Sequence, residues 1–163
     1  MKKRKYTLIA FLLLACIAPA LAQNQFESLK SWTGKYPINI DTKLRRSIYT
    51  ARELRPKLLK LLGAKDYKRL AHGYYVRSKI ELIDNYLIVK MCEQHNCPSR
   101  NSFMAVNVKE GDIHVAFYEY GSVEWYHTRG KAKDLPHSVL YNVWWMQPPG
   151  ATDKVKESTK FAT

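Results

Sequence analysis

From Gly73 onward the apolar and polar positions follow a period of two. Val76, Ser78, Ile80 and Leu82 interleave with Arg77, Lys79 and Glu81, the spacing of a half-buried strand. Asp84-Asn85 follows, a pair that tolerates positive φ and suits a tight turn. Tyr86 to Met91 then returns as a second strand, Ser102 to Val108 makes a third, and Ile113 to Tyr118 and Val123 to Tyr126 make two more. Lys109-Glu110-Gly111-Asp112 and Tyr120-Gly121 are the intervening turns. Ahead of Gly73 the period is helical. Asp41 is positioned to cap a helix through Leu44, Ile48, Ala51 and Leu54. Pro56 opens a second helix, with Leu58, Leu59, Leu61 and Leu62 on its apolar face and Gly63 at its end. A short third helix holds Tyr67 and Leu70. The pattern predicts an α+β fold in which an antiparallel meander of about five strands packs with N-terminal helices. Leu135 to Trp145 is apolar and reads equally as a closing helix or a strand.

The ends divide the chain further. Lys2, Lys3, Arg4 and Lys5 precede an apolar run from Leu8 to Ala18, and Ala20-Leu21-Ala22 offers a small-residue cleavage site. This is the pattern of an export leader over 1–22. A membrane span needs roughly 20 apolar residues, and Pro19 ends this run earlier. Leu13-Leu14-Ala15-Cys16 is similar to a lipobox, so a lipid anchor on Cys16 is the second processing route. Residues 23–41 form a polar, turn-rich lead-in, 42–146 the α+β domain, and 147–163 a polar tail expected to be mobile. A periplasmic or secreted location is expected.

Charge narrows the partners without naming one. The chain has 27 Lys plus Arg against 14 Asp plus Glu. Four of the cations lie in the leader, which leaves 23 against 14, or about +9, for the mature chain. Such a charge draws anionic partners at long range. The cations between Arg45 and Arg69 mostly fall off the apolar positions and read as a solvated outer face. Trp125, Tyr126, Tyr141, Trp144 and Trp145 fit a stacking platform or, more simply, core and rim positions.

The most informative segment is Cys92-Glu93-Gln94-His95-Asn96-Cys97, between the second and third long strands. Once the leader is removed these are the remaining cysteines, and an isolated pair in an oxidising compartment is expected to form a disulfide. The ring would hold His95 at the tip of a stiffened loop. A metal site would recruit Cys92, His95 and Cys97 with Met91 or Met104, but structural zinc normally takes two separate ligand pairs. A thioredoxin-like motif needs two residues between the cysteines in a βαβ setting. A Cys–His nucleophile needs a free thiol. No metal, cofactor or catalytic residue is called for.

Here the sequence resembles the inhibitor of vertebrate lysozyme family (Ivy). That family carries a disulfide-closed Cys-Lys-Pro-His-Asp-Cys loop whose histidine enters the lysozyme active site. The similarity extends from about Thr42 to Trp145, through Gly73-Tyr74-Tyr75 and Met104-Ala105-Val106. It implies that Cys92 and Cys97 are the bridging pair and His95 the inserted histidine. Gln94 stands where the family has proline, Asn96 where it has aspartate, and Glu93 where it has lysine.

The resemblance implies an exported enzyme inhibitor, not an enzyme. Its partner would be a lysozyme or a lytic transglycosylase. The alternative is a cationic envelope-binding module that reuses the fold, with the loop as a clasp and an anionic surface as partner. A homodimer is compatible with either, and nucleic acid is not expected.

Overall fold

The structure is a computed structural model that describes residues 26–38, 46–144 and 155–159. Its centre is a seven-stranded sheet. The strands are β1 (Val76–Arg77), β2 (Glu81–Ile83), β3 (Tyr86–Cys92), β4 (Arg100–Asn107), β5 (Ile113–Glu119), β6 (Ser122–His127) and β7 (Val155–Thr159). The order is β1-β3-β4-β5-β6-β7, with β2 also pairing β3, and every pair is antiparallel except β6 with β7. The predicted meander is therefore present. The strand expected from Val76 to Leu82 is instead two short pieces, β1 and β2, laid successively against β3.

Helices cover both faces of this sheet. Helix α1 spans Arg55–His72 and α2 spans His137–Trp144. Leu87, Val89, Met91, Met104, Val106, Val115 and Phe117 face the layer that holds α1, where Leu58, Leu61, Leu62 and Leu70 complete one core. Ile88, Phe103, Ala105, Ala116, Tyr118, Val123 and Trp125 point the other way, onto Leu135, Val139 and Val143 around α2. The ambiguous apolar segment is a helix from His137, which packs Val139 and Val143, four residues apart, onto this face. Trp125 is buried in this second core and Tyr126 is half-buried on the α1 side, so they do not form an open stacking platform with the exposed Tyr141.

Pro56 stands in the first turn of α1, where its missing N–H costs nothing. The helix breaks at Gly63, which has φ 75° and ψ 172°. The two expected helices thus appear as two segments of α1. A side chain at Gly63 would meet nothing within 4 Å, but this φ/ψ region belongs essentially to glycine. Gly63→Ala is expected to destabilise by about 1–3 kcal/mol through backbone strain alone, read as a lower urea midpoint at unchanged m-value.

Two expectations are revised. The helix from Asp41 to Leu54 is not seen among the described residues. Ile48–Thr50 is a single 3-10 turn, capped by the Ser47 side chain, and turns follow to Leu54. Asp41 and Leu44 lie outside the described residues. Ile48, Ala51 and Leu54 recur every three residues, a spacing that fits i→i+3 bonding as well as an α-helix. The bonds formed are those from Ala51 N–H to Ile48 C=O and from Leu54 N–H to Ala51 C=O. Within 147–163, read as a tail, Val155–Thr159 pairs in parallel with β6. The leader and most of the lead-in also lie outside the described residues.

Candidate functional site: the Cys92–Cys97 loop

The β3–β4 ladder ends at the pair Cys92 and Asn101. One more backbone bond, from Glu93 N–H to Arg100 C=O at 3.0 Å, carries the hairpin into the loop. The chain then reverses over Glu93 to Asn96, closed by Asn96 N–H to Glu93 C=O at 3.1 Å. His95 occupies the third position of this turn with φ +63°, where type II turns require a positive φ. Histidine tolerates that region better than most side chains. The Asn96 carbonyl accepts from Ser99 N–H and Arg100 N–H, and Asn101 Nδ2 donates to Cys97 C=O. Cys92 and Cys97 are disulfide-bonded with Cα atoms 4.8 Å apart. The loop backbone is thus tied on both sides, and Gln94 and His95 at its apex are exposed.

Side chains brace the loop from beneath. Glu93 Oε1 pairs with Arg100 Nη1 at 2.5 Å, and Glu93 Oε2 accepts from Asn96 Nδ2 at 3.0 Å. Arg100 also pairs with Glu119 at 3.0 Å, Glu119 with Arg69 of α1 at 2.9 Å, and Arg69 with Glu124 at 2.5 Å. Burial alone would raise the pKa of the Glu119 carboxyl. The Arg100 and Arg69 guanidiniums outweigh it and hold the carboxyl below its usual value. The Arg69 guanidinium lies 4.1 Å from the centre of the Phe117 ring, which fixes it against the sheet. A chain of alternating charges therefore runs from the loop across the end of the sheet to α1.

The sequence located all six loop residues but not this brace. Arg69 was read with the solvated cations, whereas it is half-buried and paired. Counting back from the expected Lys109 to Asp112 turn would set Val108 opposite Ile113 and Ser102 opposite Glu119, two residues out of step with the observed pairs of Val106 with Ile113 and Arg100 with Glu119. The part played by Arg69 had no local signal, because it depends on how α1 crosses the sheet. The metal reading loses its ligands: both cysteine sulfurs are in the disulfide, and Met91 is buried and accepts from Tyr49 Oη at 2.9 Å. Among the described residues no group of three His, Cys, Asp or Glu side chains is placed to hold a metal ion.

Residues 53–149 match the family model described as inhibitor of vertebrate lysozyme (Ivy). The chain belongs to the Ivy family. The matched span covers more than half of the sequence and contains the loop, both strands that carry it and every residue of the brace. No curated protein and no solved structure matches the chain. The Ivy family is one of inhibitors. No described helix is long and apolar enough to cross a membrane.

Relative to the Ivy loop pattern, Glu93 is the departure that the structure explains most directly. Both of its carboxylate oxygens are engaged, one by Arg100 and one by Asn96. Its charge is therefore turned back toward the support and away from the apex. Asn96 likewise braces from within the loop, donating to Glu93 and to Tyr120 Oη.

Proposed function

We propose that this chain is an exported inhibitor of a lysozyme- or muramidase-type glycosidase, and that His95 is the group it places between the target's catalytic carboxyls. The observation that carries this reading is an exposed histidine at the apex of a disulfide-closed, hydrogen-bonded turn, within a chain of the Ivy family. Retaining glycosidases hold their two carboxyls about 5–5.5 Å apart across the scissile bond. An imidazole has a nitrogen on each side and bridges such a gap, filling the place of the glycosidic linkage while offering no bond to cleave. The bridge and the brace from Glu93 to Arg69 lower the entropy lost when the loop docks.

The positive charge of the chain favours targets with an acidic cleft and acidic surroundings. The cell's own wall-cleaving transglycosylases are candidates of this kind, whereas a strongly cationic lysozyme would be repelled by a chain of this charge. Export follows from the leader at 1–22 in this reading. The test is an inhibition assay of wild type beside His95→Ala against lysozymes and lytic transglycosylases of differing surface charge. Inhibition of none at micromolar concentration rejects the reading.

A second reading rests on α1. Arg52 precedes the helix and Arg55, Lys65 and Lys68 lie on it, all exposed, and exposed cations of this kind suit anionic envelope lipid or wall polymer. If these cations bind, the protein sediments with phosphatidylglycerol vesicles at low salt and is released as salt rises. Changing these four residues to glutamine is then expected to abolish sedimentation. Equal sedimentation with phosphatidylcholine vesicles, or none with either lipid, removes this reading.

A further inference from the structure

Two exposed tyrosines stand on either side of the loop. Tyr75 precedes β1, and its N–H donates to Cys92 C=O at 3.1 Å, while its neighbour Val76 is in register with Cys92. Its side chain is 66% exposed. Tyr120 forms the β5–β6 turn on the other side of the β3–β4 hairpin, and its N–H donates to Ser99 C=O at 2.8 Å. Its side chain is 72% exposed, and the hydroxyl accepts from Asn96 Nδ2 at 3.2 Å.

Tyr120 is held in a conformation that its own chemistry disfavours. Its φ is +47° and that of Gly121 is +86°, the positive pair that a two-residue type I′ hairpin requires. Asn or Asp normally fills the first position of such a turn, and a bulky residue there is an outlier. The β2–β3 turn of the same sheet follows the rule, with Asp84 at φ 48° and Asn85 at φ 66°. Burial does not offset the cost at Tyr120, since the ring stands in solvent and its described bond is the exposed one to Asn96. Residues that lower stability without a structural return are characteristic of binding sites.

We propose that Tyr120 and Tyr75 are affinity- and specificity-determining contacts that pack against the two walls of the target's substrate cleft when the loop enters it. This inference rests on the reading of the chain as an inhibitor whose loop enters its target's cleft. Substrate clefts are lined predominantly by apolar and aromatic side chains, and tyrosine supplies a large contact area with few rotamers to freeze. Two tyrosines astride the loop also fix its angle of entry, so they would choose among enzymes whose catalytic carboxyls are alike but whose cleft walls differ.

The experiment measures unfolding midpoints and inhibition constants for wild type, Tyr120→Asn, Tyr120→Phe, Tyr75→Ser and His95→Ala, using a c-type lysozyme and a lytic transglycosylase as probes. Tyr120→Asn is expected to raise the unfolding midpoint while weakening inhibition about tenfold. Tyr120→Phe keeps the ring and is expected to inhibit within about twofold of wild type, and Tyr75→Ser to lose several-fold with its midpoint unchanged. Wild-type inhibition by both Tyr120→Asn and Tyr75→Ser overturns the proposal. So does a Tyr120→Phe loss as large as that of Tyr120→Asn, which would make Tyr120 a support for Asn96. If the tyrosine variants weaken inhibition while His95→Ala does not, the flanking contacts stand and insertion fails. If wild type inhibits neither probe, both fail.

Discussion

His95→Ala is expected to weaken inhibition of a susceptible muramidase by about 2 kcal/mol or more, roughly 30-fold, with only a small fall in the unfolding midpoint from alanine at a positive φ. The size follows from position. A side chain that enters a desolvated pocket at the centre of an interface commonly carries this much, whereas rim contacts carry little. The small effect on stability follows from exposure, because the described side-chain bonds of the loop are made by Glu93, Asn96 and Asn101. The positive φ of His95 adds a useful comparison, since His95→Gly frees the backbone and His95→Asn suits it. Both should match alanine in lost inhibition if the imidazole is the working group. Cys92→Ser is expected to weaken inhibition as well, through lost preorganisation, with a smaller effect on stability than opening a bridge around a long loop. Inhibition constants across this series, with circular dichroism as a check on folding, decide the matter. Unchanged inhibition by His95→Ala removes insertion as the mechanism.

Stability is expected to fall by about 3 kcal/mol between pH 6.5 and pH 4, with His114 as the cause. His114 on β5 is 3% exposed and lies opposite His127 on β6, with ring centres 6.0 Å apart. Its Nδ1 accepts from Trp125 Nε1 at 3.4 Å, which requires that nitrogen to be unprotonated. Burial, followed by the neighbouring His127, lowers the His114 pKa from 6.5 to about 4, and Asp134 opposes the shift only in part. The sign follows from proton uptake. Above pH 6.5 both the folded and unfolded forms are neutral at this site. Between pH 6.5 and 4 the unfolded chain binds a proton that the folded chain excludes, so unfolding becomes easier as pH falls. Below pH 4 both forms are charged and this loss stops. Glu119, whose carboxyl is held low by Arg100 and Arg69 once burial is overcome, adds a separate loss at more acid pH. Urea denaturation at half-unit steps from pH 7 to 4 reads the slope. His114→Gln is expected to be less stable at pH 7 and to lose most of the slope. An unaltered slope in that variant would assign it elsewhere.

The meander from Tyr86 to His127 was legible because each of its parts is local. Alternation over five to eight residues, a turn pair such as Asp84-Asn85, and Gly111 and Gly121 at positive φ are properties of short stretches of chain. For the same reason Pro56 and Gly63 mark the start and the break of α1, and the cysteine pair falls between two strands. The failures share a cause too. Ile48, Ala51 and Leu54 have a spacing that a 3-10 turn and an α-helix both satisfy, and the segment is pinned by distant partners. Ile48 N–H donates to Pro37 C=O, and Ser47 bridges Ile38. His137 to Trp144 became a helix by packing Val139 and Val143 onto the far face of the sheet. The parallel pairing of β7 with β6 joins residues separated by the α2 crossover, a connection that no local pattern announces. At the site, the sequence by itself set Cys92 to Cys97 between two strands and marked His95 as the expected tip of the loop. Only the tertiary structure decided what holds that apex in place. Glu93, Arg100, Glu119 and Arg69 become a brace because strand register and the crossing of α1 bring their charges within 3.0 Å of one another in succession. Spacing and turn chemistry are written along the chain, whereas the pairing of charges between separate elements exists only once those elements have packed.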